Sequence, residues 1–203
     1  MAAGGTRITG GSLRGETLRV LPGDAVRPTR ARVRAALFAI IGSELPAARV
    51  LDLFAGSGAL GAEAISRGAA FALFVEVDRR ALEVLEENRR RLALLAQSAV
   101  LALDLYRSTP PADRPFDLLL LDPPFEDLRG RDPARDPWEV IARVAAACLR
   151  PGGRIALEAP KGTSPRGSSG IEWEPARRYG ATELHLGRRS EGIGEGGASP
   201  RRG

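Results

Sequence analysis

Apolar and polar positions along this 203-residue chain switch repeatedly between a helical period and short, almost continuous apolar runs. Val33, Leu37, Ile40 and Ile41 recur at helical spacing, and Thr29 is placed to cap the helix they define. Beyond it the pattern predicts strand 49–54, helix 60–67, strand 70–76, helix 79–95, strand 99–103, strand 116–121, helix 137–149 and strand 153–158. Strands that alternate with helices in this way argue for an α/β fold, a mostly parallel sheet with helices on both faces. Two β-hairpins frame it. Arg7 to Thr9 and Glu16 to Val20, joined across Gly10-Gly11, predict a small one at the front; Ile171 to Ala176 and Thr182 to Gly187, around Tyr179-Gly180, predict an antiparallel one near the end. After Ser190 the chain is rich in Gly, Ser, Pro and Arg without an apolar period, so residues 191–203 are expected to be a disordered tail.

Length and composition fit one domain with a full core and a small appendage: a basic extension over 1–28 and a main domain over 29–190. Residues 1 to 34 carry Arg7, Arg14, Arg19, Arg27, Arg30, Arg32 and Arg34 against Glu16 and Asp24, a net of +5. The whole chain is also +5, so everything after residue 34 balances to zero. Lys161 is the only lysine. A compositional bias explains why arginine replaces lysine, but not why the excess sits at one end. A concentrated basic segment is the electrostatic footprint expected for a phosphate backbone. Cys148 is the only cysteine and lies on a helical apolar face, so it is expected as a buried small hydrophobe. With His185 the only histidine, in a strand-like run where a structural role is expected, no zinc cluster is expected. Nothing at the N-terminus reads as a leader and no run is long enough to span a bilayer; a cytoplasmic protein without membrane or metal partners is the expectation.

Chemistry enters at the strand ends. The run Phe116 to Leu121 closes in Asp122-Pro123-Pro124-Phe125. A carboxylate and a proline-fixed carbonyl can both accept hydrogen bonds from an exocyclic NH2, and an aromatic can stack on the ring that carries it. That holder points to chemistry on a nucleobase amino group. A second signal is the strand from Arg49 to Phe54, followed by Ala55-Gly56-Ser57-Gly58-Ala59-Leu60-Gly61 at the start of a helix. Glycines let the backbone approach a ligand, and the helix N-terminus is electropositive. Twenty residues after Gly56, Glu76 ends a strand and is placed to bind ribose hydroxyls. The pattern suggests a dinucleotide site. Asp52, inside the strand, argues otherwise: it would repel a pyrophosphate and attract the cationic end of S-adenosylmethionine, the cofactor expected here. Asp52, Glu76, Asp104 and Asp122 all fall at or near strand ends, so one rim of the sheet should collect them.

Together these residues resemble class I S-adenosylmethionine-dependent methyltransferases, and most closely the bacterial 16S ribosomal RNA guanine-N2 methyltransferase family of the RsmD type. The resemblance starts at Arg7-Ile8-Thr9-Gly10-Gly11-Ser12-Leu13-Arg14-Gly15 and continues through Arg27-Pro28-Thr29, the glycine loop, Val75-Glu76-Val77-Asp78 and Asp122 to Phe125. It departs from the family at Ala31 and Ala35, where members usually carry acids. It implies a Rossmann-like sheet of seven strands with the C-terminal antiparallel hairpin. It also implies that Asp52 and the backbone of Ala55, Gly56, Ser57 and Gly58 hold the methionine part, with Thr29 closing the pocket. Glu76 would take the ribose and Asp104 the adenine amino group, with Val77 and Leu105 flanking the ring. Asp122, Pro123, Pro124 and Phe125 would be catalytic, and Arg7, Arg14 and Arg27 would bind RNA. The implied partner is the ribosomal RNA of an assembled or assembling small subunit, met by a monomer.

Three other readings compete. Adenine N6 or a glutamine amide suits the same amino-group holder. A nicotinamide-dependent dehydrogenase follows from the glycines alone but leaves Asp122 to Phe125 unused. A non-catalytic RNA-binding assembly factor follows from the arginines alone. The polar stretch 126–137 reads as a surface loop, placed to fold over a flipped nucleotide or simply solvated.

Overall fold

The computed structural model describes residues 5–21, 28–130, 132–166 and 170–191. An antiparallel ribbon of β1 (Gly5–Arg7) and β2 (Thr17–Arg19) precedes helix α1 (Pro28–Ile40). The alternating part follows as β3 (Arg49–Leu53), α2 (Ala59–Ser66), β4 (Phe71–Glu76), α3 (Arg79–Arg91), β5 (Ser98–Ala102), β6 (Phe116–Leu121), α4 (Phe125–Leu128), α5 (Pro137–Cys148) and β7 (Leu149–Pro160). β8 (Ile171–Trp173), β9 (Arg177–Tyr179) and β10 (Thr182–Arg189) close the sheet. Its order is β5-β4-β3-β6-β7-β10-β8, with β9 also on β10; β5 through β7 run parallel, and β7 to β10 antiparallel. The expected Rossmann-like architecture is thus present, with one difference: the outermost position, expected as one strand, is divided between β8 and β9. Pro175 lies between them and cannot donate to a ladder.

Central strands buried on both faces need apolar side chains at successive positions. Leu51, Leu53, Leu119, Leu121, Ile155 and Leu157 meet Trp138, Ile141, Val144 and Cys148 of α5 on one face. Val50, Leu118, Leu120 and Ala156 meet Val33, Leu37 and Phe38 of α1, with Ala62, Ile65 and Leu85, on the other. Cys148 is a buried core residue, and burial pushes its thiol pKa up. His185 is buried edge-on to Trp138; burial pushes its pKa down, against the opposing pull of Glu183.

The N-terminal ribbon is packed into this core rather than standing ahead of it. Ile8 and Leu18 are buried in the α1–α2 cluster. Gly10 to Leu13 fold onto the end of α2, where Ser66 Oγ donates to the Gly10 carbonyl at 2.6 Å and accepts from Leu13 N–H at 2.9 Å. Asn88 of α3 clasps the other strand, accepting from Arg19 N–H and donating to the carbonyls of Arg19 and Ser57, each at 2.9 Å. One side chain therefore joins the ribbon to the glycine loop. The expected disordered tail lies, from residue 192, outside the described residues.

Candidate active site

β3 is the switch point of the sheet, with β4 on one side and β6 on the other, and ligand sites form beyond the strand ends at such points. A cleft of about 950 Å3 opens there. Among the expected residues it is lined by Asp52, Ala55, Gly56, Ser57, Glu76, Val77, Asp104, Leu105 and the run from Asp122 to Phe125. Asp78 and Glu158 bring the lining carboxylates to six, against the guanidiniums of Arg34 and Arg135. The basic N-terminus therefore gives onto an acidic cavity.

At the end of β3 the chain turns through Phe54, whose φ of 56° is unusual for a bulky residue, and enters the glycine loop. Glu76 organises this loop. Its Oε2 accepts from Gly56 N–H at 2.8 Å, and its Oε1 accepts from the N–H groups of Val77 and Asp78 at 2.7 and 2.9 Å. Asp52, 1% exposed, accepts from Gly61 N–H at 2.8 Å at the start of α2. Burial raises its pKa well above the usual carboxylate range, reinforced by the charges of Asp122 and Glu76 and opposed by the Gly61 bond. Gly58 does not line the cleft. With φ 84° it sits at the N-terminus of α2, and a Cβ there would lie 2.4 Å from Leu85 Cδ1, so its part is in packing.

Next to the loop, Leu121 of β6 pairs with Leu53 of β3 and with Leu157 of β7, and the following residues Asp122 and Glu158 come side by side at the cleft wall. Pro123 is buried, and the Pro124 carbonyl accepts from Asp127 N–H at 3.0 Å, opening α4. Phe125 is half-buried against the α5 side of the core. Arg34 reaches this end from α1.

At the third side, Asp104 Oδ1 accepts from Tyr106 N–H at 3.0 Å. The Tyr106 ring lies 5.6 Å from that of Phe54, under the Arg135 guanidinium at 4.6 Å, and its hydroxyl donates to Asp127 at 2.5 Å. Burial, and then the Asp127 carboxylate, push the Tyr106 pKa up. The stretch 126–137, read as a surface loop, is therefore pinned to the cleft at both Asp127 and Arg135.

Arg7 and Arg14 are exposed on the ribbon, outside the cleft lining. Arg27 lies outside the described residues; Thr29 sits in the first turn of α1, and its side chain is not among those described. Sequence reasoning missed Arg34, Tyr106, Arg135 and Glu158. Two of these carried a signal: Arg34 shares i, i+3, i+4, i+7 spacing with Leu37, Phe38 and Ile41, and Glu158 closes an apolar strand as Asp122 does.

The family model described as conserved hypothetical protein 95 matches residues 6–188. The chain belongs to this family, that of the RsmD-type methyltransferases. Ribosomal RNA small subunit methyltransferase D of Escherichia coli is 39% identical over 127 residues, which cover 61% of this chain and 62% of that protein. A Bacillus subtilis protein assigned as an rRNA methyltransferase is 36% identical over 124 residues, covering 60% and 67%. The matched stretches thus span about two thirds of these relatives' length. An Escherichia coli structure assigned as a methyltransferase superposes with a TM-score of 0.76 at 27% identity, over 93% of this chain and 99% of that one. The RsmD-type match takes in both the ribbon and the sheet.

Proposed function

We propose that this chain transfers a methyl group from S-adenosylmethionine to the exocyclic N2 amino group of a guanine in small-subunit ribosomal RNA. The observation that carries this reading is that Asp122, Pro123 and Phe125 line the same cleft as the glycine loop. The family and the small-subunit name of a relative favour ribosomal RNA over a glutamine amide; guanine rather than adenine follows the resemblance of the sequence.

The donor set suits a cationic adenosyl compound better than a dinucleotide. In this loop Ala55 N–H is taken by the Val75 carbonyl, Gly56 N–H by Glu76 and Gly58 N–H by the Ala55 carbonyl. Those are the groups a pyrophosphate would need. Six carboxylates in the same cleft would repel it. Asp52, with the backbone of Ala55 to Ser57, is assigned the methionine end. Glu76 and Asp104 keep acceptor capacity for ribose hydroxyls and an adenine amino group, since a carboxylate offers about four lone-pair sites. Val77, 61% exposed at the rim, and Leu105 supply apolar faces for the ring. Thr29 is assigned the closing position.

When bound, S-adenosylmethionine supplies an electrophilic methyl carried on a sulfonium. The residues of the chain supply alignment more than acid–base power. The Asp122 carboxylate and the Pro123 carbonyl accept hydrogen bonds from the two amino N–H groups and turn the nitrogen lone pair out of conjugation. As positive charge grows on that nitrogen, the same acceptors stabilise it. One amino proton passes to solvent once the N–C bond has replaced the S–C bond. The Pro124 carbonyl is committed to α4, so the acceptor role falls to Pro123. Phe125 stacks on the base, which leaves its own stack to enter. Arg7, Arg14 and Arg27 hold the phosphates of an assembled or assembling subunit, and the chain acts as a cytoplasmic monomer.

The test is incubation with S-adenosylmethionine and unmodified small subunits, followed by nucleoside mass spectrometry. N2-methylguanosine is expected, with Asp122→Ala reducing transfer at least a hundredfold while cofactor affinity stays close to normal. N6-methyladenosine would overturn the base assignment, and near-normal turnover by Asp122→Ala would sink the mechanism.

A further inference from the structure

Arg34 is 5% exposed, lines the cleft, and has no part in the reaction as set out above. Its Nη2 donates to the Thr6 hydroxyl at 3.0 Å and to the Arg7 carbonyl at 2.6 Å, both on β1. Its Nε lies 3.4 Å from Oε2 of Glu63. Glu63, fully buried, is itself fixed by Thr9 N–H at 2.8 Å, the Thr9 hydroxyl at 2.7 Å and Arg67 Nε at 2.8 Å. Immobilising and desolvating an arginine to this degree is costly, and burial accordingly pulls its pKa down while Glu63, Glu158 and Asp122 pull it back.

Asp122, Glu158 and Asp52 share the cleft with this guanidinium, and Glu63 pairs with it from α2. Asp122 and Glu158 stand side by side at the ends of β6 and β7, Asp52 lies on the neighbouring β3, and Glu63 of α2 lies behind. The other described cation of the cleft, Arg135, is held at the Tyr106 end by Asp127. Carboxylates that share a site raise one another's proton affinity, and an opposite charge reverses this. The point matters because an ionised carboxylate only accepts hydrogen bonds, whereas a protonated one also donates.

We propose that Arg34 is a positioning residue: anchored by the β1 ribbon, it keeps the Asp122 carboxylate ionised and oriented to accept the target amino group, so that seating of the ribbon is read at the acceptor. The inference rests on the proposed amino-group transfer, but part of its test does not. In Arg34→Gln, kcat at neutral pH is expected to fall tenfold or more, and the acid limb of the kcat profile to move up by about one pH unit. Cofactor affinity should stay within about twofold, because the hydrogen bonds and ion pair of Arg34 go to Thr6, Arg7 and Glu63 and not to the glycine loop. Arg34→Lys keeps the charge but not the fork that spans Thr6 and Arg7. Its acid limb should coincide with wild type while kcat still falls. Independently of turnover, carboxyl-13C NMR titration, with Asp122→Asn used for assignment, should show Asp122 titrating higher in Arg34→Gln. An unmoved Asp122 titration in a folded Arg34→Gln, or wild-type kcat in Arg34→Lys, overturns the proposal. If the wild type methylates no amino group while the Asp122 titration does move, the transfer reading fails and the electrostatic link stands.

Discussion

At the scale of single residues, Asp52 is where stability and the proposed cofactor binding oppose each other. Its folded-state pKa is raised by burial first and by Asp122 and Glu76 next, whereas in the unfolded chain it would ionise near about 3.9. Below that value both states hold the proton and the group costs the fold nothing. As pH rises from there towards the raised folded value, the unfolded chain ionises first and the folded state loses stability; above the folded value the loss is constant. Asp52→Asn keeps an oxygen for Gly61 N–H and removes the charge. Its melting temperature is expected to equal or exceed wild type near about pH 8, with the difference gone by about pH 4. A wild type clearly more stable than the variant near pH 8 would contradict this. Binding should respond the other way. A cation entering beside Asp52 favours the ionised form, so affinity for S-adenosylmethionine should drop by up to about tenfold per pH unit below the ligand-free pKa. Calorimetry in two buffers of different ionisation enthalpy should detect proton release in that range, and its absence there would remove Asp52 from the cationic end.

At the scale of elements, the glycine loop separates packing from ligand approach. A Cβ on Gly61 would lie 2.3 Å from Phe74 Cε1 and 3.0 Å from Asp52 Oδ2, so Gly61→Ala should cost about 1–3 kcal/mol of stability by overpacking. A Cβ on Gly56 meets nothing within 4 Å, and only its φ of 54° opposes alanine, at about 1–2 kcal/mol. Gly56→Ala should therefore fold, yet lose cofactor affinity far beyond its modest fall in melting temperature, because Gly56 lines the cleft and the added methyl takes up open space there. Normal binding by that variant would place the ligand elsewhere. The central elements were legible because β3 to β6 are mostly apolar runs between turn residues. Their ends were less so: α3 stops at Arg91, short of the expected 95, where Ala93 turns left-handed with φ 55° and Leu95–Gln97 form a 3-10 turn. The strand-end acids were legible one at a time because the rim of a parallel sheet gathers them whatever the packing. Arg34 and Glu158 carried a signal singly, but their meeting was not legible, since it depends on which sheet face α1 covers and on the β6–β7 register. The Tyr106–Asp127–Arg135 cluster was hidden for the same reason: Tyr106 follows β5, whereas Asp127 and Arg135 lie in the segment between β6 and α5, and only the fold brings the two together.

At the scale of the whole molecule, the charge distribution poses a problem for an RNA substrate. A target nucleotide must enter a cleft lined by six carboxylates, yet its phosphates are repelled there. The nucleic acid must then be held from outside, and the exposed Arg7 and Arg14, on a ribbon fastened to α2 and α3, are suited to do it. Replacing both by alanine leaves the Arg7 carbonyl free to go on accepting from Arg34, so the fold and the cofactor site should be unaffected. RNA affinity should fall, and the slope of log affinity against log salt should become shallower by about 0.7–0.9 for each phosphate that is no longer neutralised. Because the acidic cleft is screened together with the basic ribbon, the variant and the wild type should converge at high salt rather than stay a constant factor apart. Measuring RNA binding across a salt series, with cofactor affinity as the control, decides the matter. A slope unchanged in the double variant would take the ribbon out of phosphate binding and leave the acidic cleft in need of another counterweight.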